Sequence, residues 1–111
     1  MLPEFFWGEF FDFRELTASE LLRVFHSDGE RFRGAEYGSW WNSIAKADRK
    51  EGANLLRRGE LEEPCEALLG VLGSLRPVDT ARIAWAFGTL RAPDRPRWST
   101  VSRGLADRAV G

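Results

Sequence analysis

The chain has 111 residues, 43% of them hydrophobic, 13% aromatic and 30% charged, with a formal net charge of −1. That length suits one small domain with one core, and a near-zero charge excludes a protein that attracts nucleic acid over its whole surface. One Cys and one His exclude a disulfide framework and a Cys/His zinc cluster, and the longest apolar runs are too short to span a membrane.

The charge is uneven. From Met1 to Glu36 there are eight acids and four bases, whereas from Arg76 to Gly111 there are seven Arg and three Asp. A polyanion would therefore be met by the C-terminal third. The fourteen Arg against two Lys read most simply as a GC-rich coding sequence. The start is acidic and aromatic, unlike a signal peptide or an Arg- and Ser-rich transit peptide.

Residues 1–13 form an aromatic leader, broken as a helix by Pro3 and Gly8. A monomer rarely exposes so many rings together, so Phe5, Phe6, Trp7 and Phe10 are expected to bind a partner or to cap the first helices. Residues 14–111 are expected to be a single helical-repeat domain. Thr17-Ala-Ser-Glu20 has the form of a capping box, which predicts a first helix to about Ser27. Asp28-Gly29 and Arg33-Gly34 mark a loop. A second helix is predicted over about 35–48, with Tyr37, Trp40, Trp41 and Ile44 near one face. A short third covers about 49–58, stopped by Gly59.

The fourth starts near Leu61 with Glu60, Glu62 and Glu63 at its positive end. Its apolar set is Leu61, Cys65, Leu68, Leu69, Leu72 and Leu75. Pro77 opens the fifth, which runs to about Leu90. Asp94 caps the sixth, whose apolar stripe is Trp98, Val101 and Leu105. Gly52, Gly70, Gly73 and Gly88 fall inside these helices and suggest close helix–helix approach or modest stability. No segment alternates as a strand does, so the fold class is all-α.

The helices repeat. Glu20-Leu-Leu-Arg-Val-Phe-His26 and Glu51-Gly-Ala-Asn-Leu-Leu-Arg57 echo Asp79-Thr-Ala-Arg-Ile-Ala-Trp85, with starts 31 and 28 residues apart. A period of that size points to stacked helical pairs, here a short α-solenoid of about three antiparallel pairs. The stretch Leu75-Arg-Pro-Val-Asp-Thr-Ala-Arg-Ile-Ala-Trp-Ala-Phe-Gly-Thr-Leu90, followed by Pro93-Asp-Arg-Pro96 and Trp98, resembles a unit of the octotricopeptide-repeat family. It resembles equally the FAST-kinase-like repeats that accompany RAP domains. The resemblance covers about a third of the chain. It implies an α-solenoid and an organellar protein, of mitochondria or plastids, that binds RNA or sits in an RNA–protein assembly.

Three positions after each leading acid stand Arg23, Asn54 and Arg82; three further on stand His26, Arg57 and Trp85. Stacked repeats would align them into a ladder of donors, cations and rings suited to a single-stranded polyanion. Arg95, Arg97 and Arg103, beside Trp98, would extend it by phosphate contacts. The competing reading is a solvated helix face, with Trp85 packed between repeats and the basic run partnered by Asp94 and Asp107. Glu20, Glu51 and Asp79 stand at predicted helix starts, where capping accounts for them without metal or catalysis. Cys65 reads as a small core residue. No Gly-rich phosphate loop, Ser-His-Asp set or metal-binding helix motif is present.

The expectation is a non-enzymatic helical-repeat module without cofactor or metal. Its role would be an RNA-binding or structural component of an organellar ribonucleoprotein such as a mitochondrial ribosome. RNA, ribosomal RNA included, and protein subunits would be its partners. The alternative is a protein-binding helical adaptor, an accessory subunit of a large assembly that touches no nucleic acid.

Overall fold

Five α-helices carry the fold of this computed structural model, which describes residues 13–110: α1 (Ala18–Asp28), α2 (Gly34–Glu51), α3 (Glu62–Leu69), α4 (Pro77–Leu90) and α5 (Pro96–Val110). No strand occurs among the described residues, so the protein is all-α as its periodicity predicts. The leader residues Phe5, Phe6, Trp7 and Phe10 lie outside the described residues.

Local chemistry explains most helix starts. The Thr17 hydroxyl accepts from the Glu20 N–H at 3.2 Å, and the Glu20 carboxylate accepts from the Thr17 N–H at 2.9 Å. These bonds hold the Glu20 carboxyl below its ordinary pKa. Glu36 accepts the Arg33 N–H at 2.8 Å in the same way at the head of α2. Pro77 opens α4, with φ already preset.

The expected third helix does not form. Arg49, Lys50 and Glu51 instead complete α2, which ends on Gly52 in the left-handed region at φ 63°. Asn54 is left-handed too, at φ 55°, and the chain turns through Leu55–Leu61 without becoming helical. The Asp48 carboxylate fixes this exit by accepting the Leu55 N–H at 2.8 Å. Glu51 therefore does not begin a helix; it ends one, and its carboxylate accepts the Ala18 N–H at 2.9 Å, capping α1 from across the fold. The fourth predicted helix is also shorter. It stops at Leu69, and Leu72–Ser74 form a separate 3₁₀ turn. Of three expected pairs, the first and third are complete, and the middle one has its second helix alone.

α2 lies directly on α4, and the two run parallel, with Gly38 against Asp79 and Lys46 beside Trp85. A Cβ on Gly38 would sit 3.2 Å from the Asp79 Cα, and one on Gly34 3.1 Å from the Asp79 carboxylate. These glycines set the approach. A Cβ on Gly70 would meet the Ala67 carbonyl of its own helix at 3.6 Å, and one on Gly73 or Gly88 would meet nothing within 4 Å, so these three set no close approach. α1 runs antiparallel to α2, pinned by the Trp40 indole N–H donating to the Leu21 carbonyl at 2.8 Å. α5 lies along α4 and beside α3, and the Arg108 guanidinium donates to the Leu75 carbonyl at 2.7 Å.

Rings fill the middle. Phe25, Trp40, Trp41 and Trp98 follow one another at centroid distances of 5.5, 5.4 and 6.1 Å, with Phe87 against both Trp41 and Trp98. Trp40, Trp41 and Trp98 are fully buried. Such tilted and edge-on pairs add to the stabilisation from area burial.

Candidate nucleic-acid interface

α2 is central, and the side of it beside α4 carries Ala35, Ser39 and Asn42, half-buried, and Lys46 and Arg49, exposed, spaced i, i+4, i+7, i+11, i+14; Glu36, Asp48, Lys50 and Glu51 are also open to solvent on this helix, off that line. On α4 the corresponding outer stripe is Val78, Arg82, Trp85 and Thr89. Two contacts join the stripes into one seam. The Arg82 guanidinium lies 3.5 Å from the Ser39 hydroxyl, and the Lys46 ammonium stands 6.0 Å from the Trp85 ring centroid. The two α2 positions are seven residues apart, about 10 Å along the helix.

Neither stripe carries an acid. Asp79, which the α4 numbering places near this surface, points inward and is fully buried. It accepts from the Arg76 backbone N–H at 3.2 Å and from the Arg76 side chain at 2.9 and 3.0 Å. The Arg76 guanidinium holds its carboxyl below the usual range against the opposing effect of burial. Meanwhile Trp85 is 44% exposed and Val78 46%, which is high for residues of that size and apolarity. The seam thus offers a flat ring, a cation over that ring, and further cations on either side.

The other expected RNA-binding residues lie elsewhere. Arg23 lines a groove with His26, Glu60, Glu62 and Glu63, and His26 Nδ1 is 3.4 Å from the Glu63 carboxylate. Asn54 sits in the turn after α2 with its amide on the Gly52 carbonyl at 3.4 Å, and Arg57 is exposed in the same turn. Without the third helix, Asn54 and Arg57 are not rungs of a helical ladder. Arg95 and Arg97 converge on Glu62 at 3.0 and 3.5 Å, Arg97 also reaches Glu66 at 3.6 Å, and the Trp98 indole donates to Glu62 at 3.1 Å. Arg103 bonds to the Ser99 carbonyl at 3.5 Å. Of the expected ladder, Arg82 and Trp85 stand on the seam; Lys46, Arg49 and Asn42 join them. Their i, i+4, i+7 spacing is visible in the sequence, but so is that of the buried faces of the same helix.

Cys65 is buried, and loss of solvation together with the nearby Glu62 carboxylate pushes its thiol up to about 12, so it is no thiolate nucleophile. No group of His, Cys, Asp and Glu among the described residues is arranged to hold a metal ion, and no described helix is long and apolar enough to cross a membrane.

The chain matches no protein-family model, no curated protein and no solved structure.

Proposed function

We propose that this domain is a non-enzymatic binding module that lays a single-stranded RNA along the α2–α4 seam. The observation that carries this reading is the half-exposed Trp85 with the Lys46 ammonium 6.0 Å from its centroid and Arg82 one turn away on the same face of its helix. A base stacks on Trp85, since every base has a π-face, and Lys46, Arg82 and Arg49 meet the flanking phosphates. The resemblance of Leu75–Leu90 to organellar RNA-binding repeats supports the choice of RNA. It is also the sole support for a mitochondrial or plastid ribonucleoprotein as the setting.

The test is fluorescence anisotropy with a labelled single-stranded RNA of about fifteen nucleotides over a salt series. Binding should weaken with salt at a log–log slope of about 0.7 per phosphate contact, so about two for three cations. Trp85→Ala should weaken it at every salt concentration, and Lys46→Ala and Arg82→Ala should each flatten the slope. Absence of binding at low salt, or binding unaffected by all three variants, would overturn the reading.

A second reading draws on the exposed apolar residues Leu69 and Val78, 41% and 46% open. They suit a protein-binding adaptor that buries them against another subunit. It takes over if RNA fails to bind.

A further inference from the structure

The α2–α4 seam holds a neutral amide between its cations. Ser39 and Asn42 stand three residues apart on α2, as Arg82 and Trp85 do on α4. The two helices run parallel, and the Arg82 guanidinium lies 3.5 Å from the Ser39 hydroxyl. A step of about 4.5 Å along each helix therefore brings Asn42 level with Trp85. Lys46 is one turn further on. Its long side chain leans back toward the helix N-terminus and puts its ammonium 6.0 Å from the Trp85 centroid. Both cross-helix contacts thus bracket Asn42. Its side chain is half-buried and has no hydrogen-bond partner among the described residues, so its carbonyl oxygen and its NH2 are both free.

We propose that Asn42 reads the edge of the base that stacks on Trp85, and that the base it selects is adenine. This rests on the RNA reading of the seam. Stacking alone does not choose a base, because every base has a π-face. Choice needs hydrogen-bonding groups aimed at a base edge, and cations drawn to phosphates do not supply it. The Asn42 amide offers an acceptor beside a donor. Adenine answers that pair on two edges, N6–H with N7 and N6–H with N1, so it fits either way round on the indole. Guanine shows two acceptors, N7 and O6, on its outer edge. Guanine and the pyrimidines match an amide on the Watson–Crick edge alone, and the pyrimidines have less surface to stack.

The other polar groups beside the seam are engaged or face away. The Ser39 hydroxyl meets Arg82. Glu36 and Asp48, six residues before and after Asn42, accept the Arg33 and Leu55 N–H groups. Asp79 is buried on Arg76. Thr89 lies one turn past Trp85, beyond the level of Asn42.

Anisotropy titrations with fifteen-nucleotide strands of A, of C, of U and of alternating G and U test the assignment. The parent protein should hold the A strand about fivefold or more tighter than the others, the lower bound for one bidentate base contact. Asn42→Ala puts a better helix former at the site and so keeps the fold. It should bind all four strands alike with the parent's salt slope, since the amide meets no phosphate. Trp85→Ala should weaken all four. Equal binding of the four strands by the parent, or an adenine preference that survives Asn42→Ala, overturns the base reading and leaves the seam standing. A preference for guanine also overturns it and puts Arg82 at the base edge, where arginine pairs with O6 and N7. A flattened salt slope in Asn42→Ala overturns it too, because Asn42 would then act by placing the cations. No binding of any strand at low salt overturns the seam and the base reading together.

Discussion

Arginine stands on two surfaces of this domain in different company. On the α3–α5 face, Arg95 and Arg97 close on Glu62 and Glu66, and Glu62 also takes the Trp98 indole N–H. On the α2–α4 seam, Arg82 meets a serine hydroxyl and Lys46 stands over an indole, while the acid at the root of the seam, Asp79, is turned inward onto Arg76. The first surface is richer in Arg, yet its charge is answered internally. The second has fewer cations, but they face outward beside an exposed ring. Which carboxylate stands next to each Arg decides where a polyanion can bind, and a count of Arg along the chain does not.

The two surfaces each own a tryptophan, and exchanging these for alanine is the severest test of the contrast. Trp98 is fully buried against Trp41 and Phe87. Trp98→Ala should cost about 3–5 kcal/mol, a large share of the roughly 5–15 kcal/mol that holds a small domain together. Trp85→Ala should change stability by less than about 0.5 kcal/mol while weakening RNA binding. Urea denaturation of the two variants checks this, and equal losses would break the division into a structural and a binding tryptophan.

Much of the fold is legible in the sequence because its signals are local. Thr17 and Glu20 cap α1 as their spacing predicts, Pro77 opens α4, and the Trp98, Val101, Leu105 stripe is buried on α5. The region 49–58 departs from its expected helix because a period of about thirty residues puts Glu51 at a helix start, whereas residues 49–51 end α2. The local signal was different: two cations, Arg49 and Lys50, followed by Gly52, are a helix end, and Asn54 is a residue that tolerates the left-handed turn. The seam proposed to bind RNA is less legible. Lys46 meets Trp85 only because α2 packs on α4, a contact between residues 39 apart in the chain that no local spacing announces. Gly34 and Gly38, which permit it, look no different in sequence from Gly88, where a Cβ would meet nothing within 4 Å. Likewise Glu62 reads as a helix-start acid and is also the hub of the α3–α5 face.

The acids beneath the two surfaces sharpen the comparison next. Asp79 has no exposed surface, and Arg76 lowers its carboxyl pKa in the folded state. A depressed folded pKa contributes stability above the ordinary carboxylate value, lost as pH falls below about 4. Asp79→Asn should cost about 2 kcal/mol at neutral pH, toward the low end for a buried charge because Arg76 itself is 61% exposed. It should also flatten the acid limb of a stability–pH curve. A curve superimposable on the parent's below pH 4 would remove Asp79 from the account.

Glu62 is less buried, with 30% of its side chain exposed, and should matter less to folding. Glu62→Ala strips a partner from Arg95, Arg97 and the Trp98 indole, at a cost of about 1–2 kcal/mol. Its effect on RNA is the sharper readout. If the α3–α5 face is silent because it is neutralised, freeing two cations should steepen the salt dependence by up to about 1.4 on the log–log plot. An unchanged slope would mean that Arg95 and Arg97 lie off the path of the RNA however they are paired, which confines binding to the seam.

The smallest effect tests the geometry that creates the seam. Gly38 and Gly88 both lie inside helices, but a Cβ on Gly38 would meet the Asp79 backbone at 3.2 Å, whereas nothing lies within 4 Å of one on Gly88. Alanine at an open helical site removes the entropy penalty of glycine, so Gly88→Ala should stabilise by about 0.5–1 kcal/mol. Gly38→Ala gains the same propensity but must push α2 away from α4, since backbone on the opposite side cannot swing aside as a side-chain tip would. The two terms oppose, leaving a net loss of order 1 kcal/mol. The shift also moves Lys46 relative to Trp85, so Gly38→Ala should weaken RNA binding although it touches no ligand, and Gly88→Ala should leave it alone. Melting temperatures with matched anisotropy titrations separate the two variants; a Gly38→Ala protein as stable as Gly88→Ala would show that the close parallel approach of α2 and α4 does not hold the seam together.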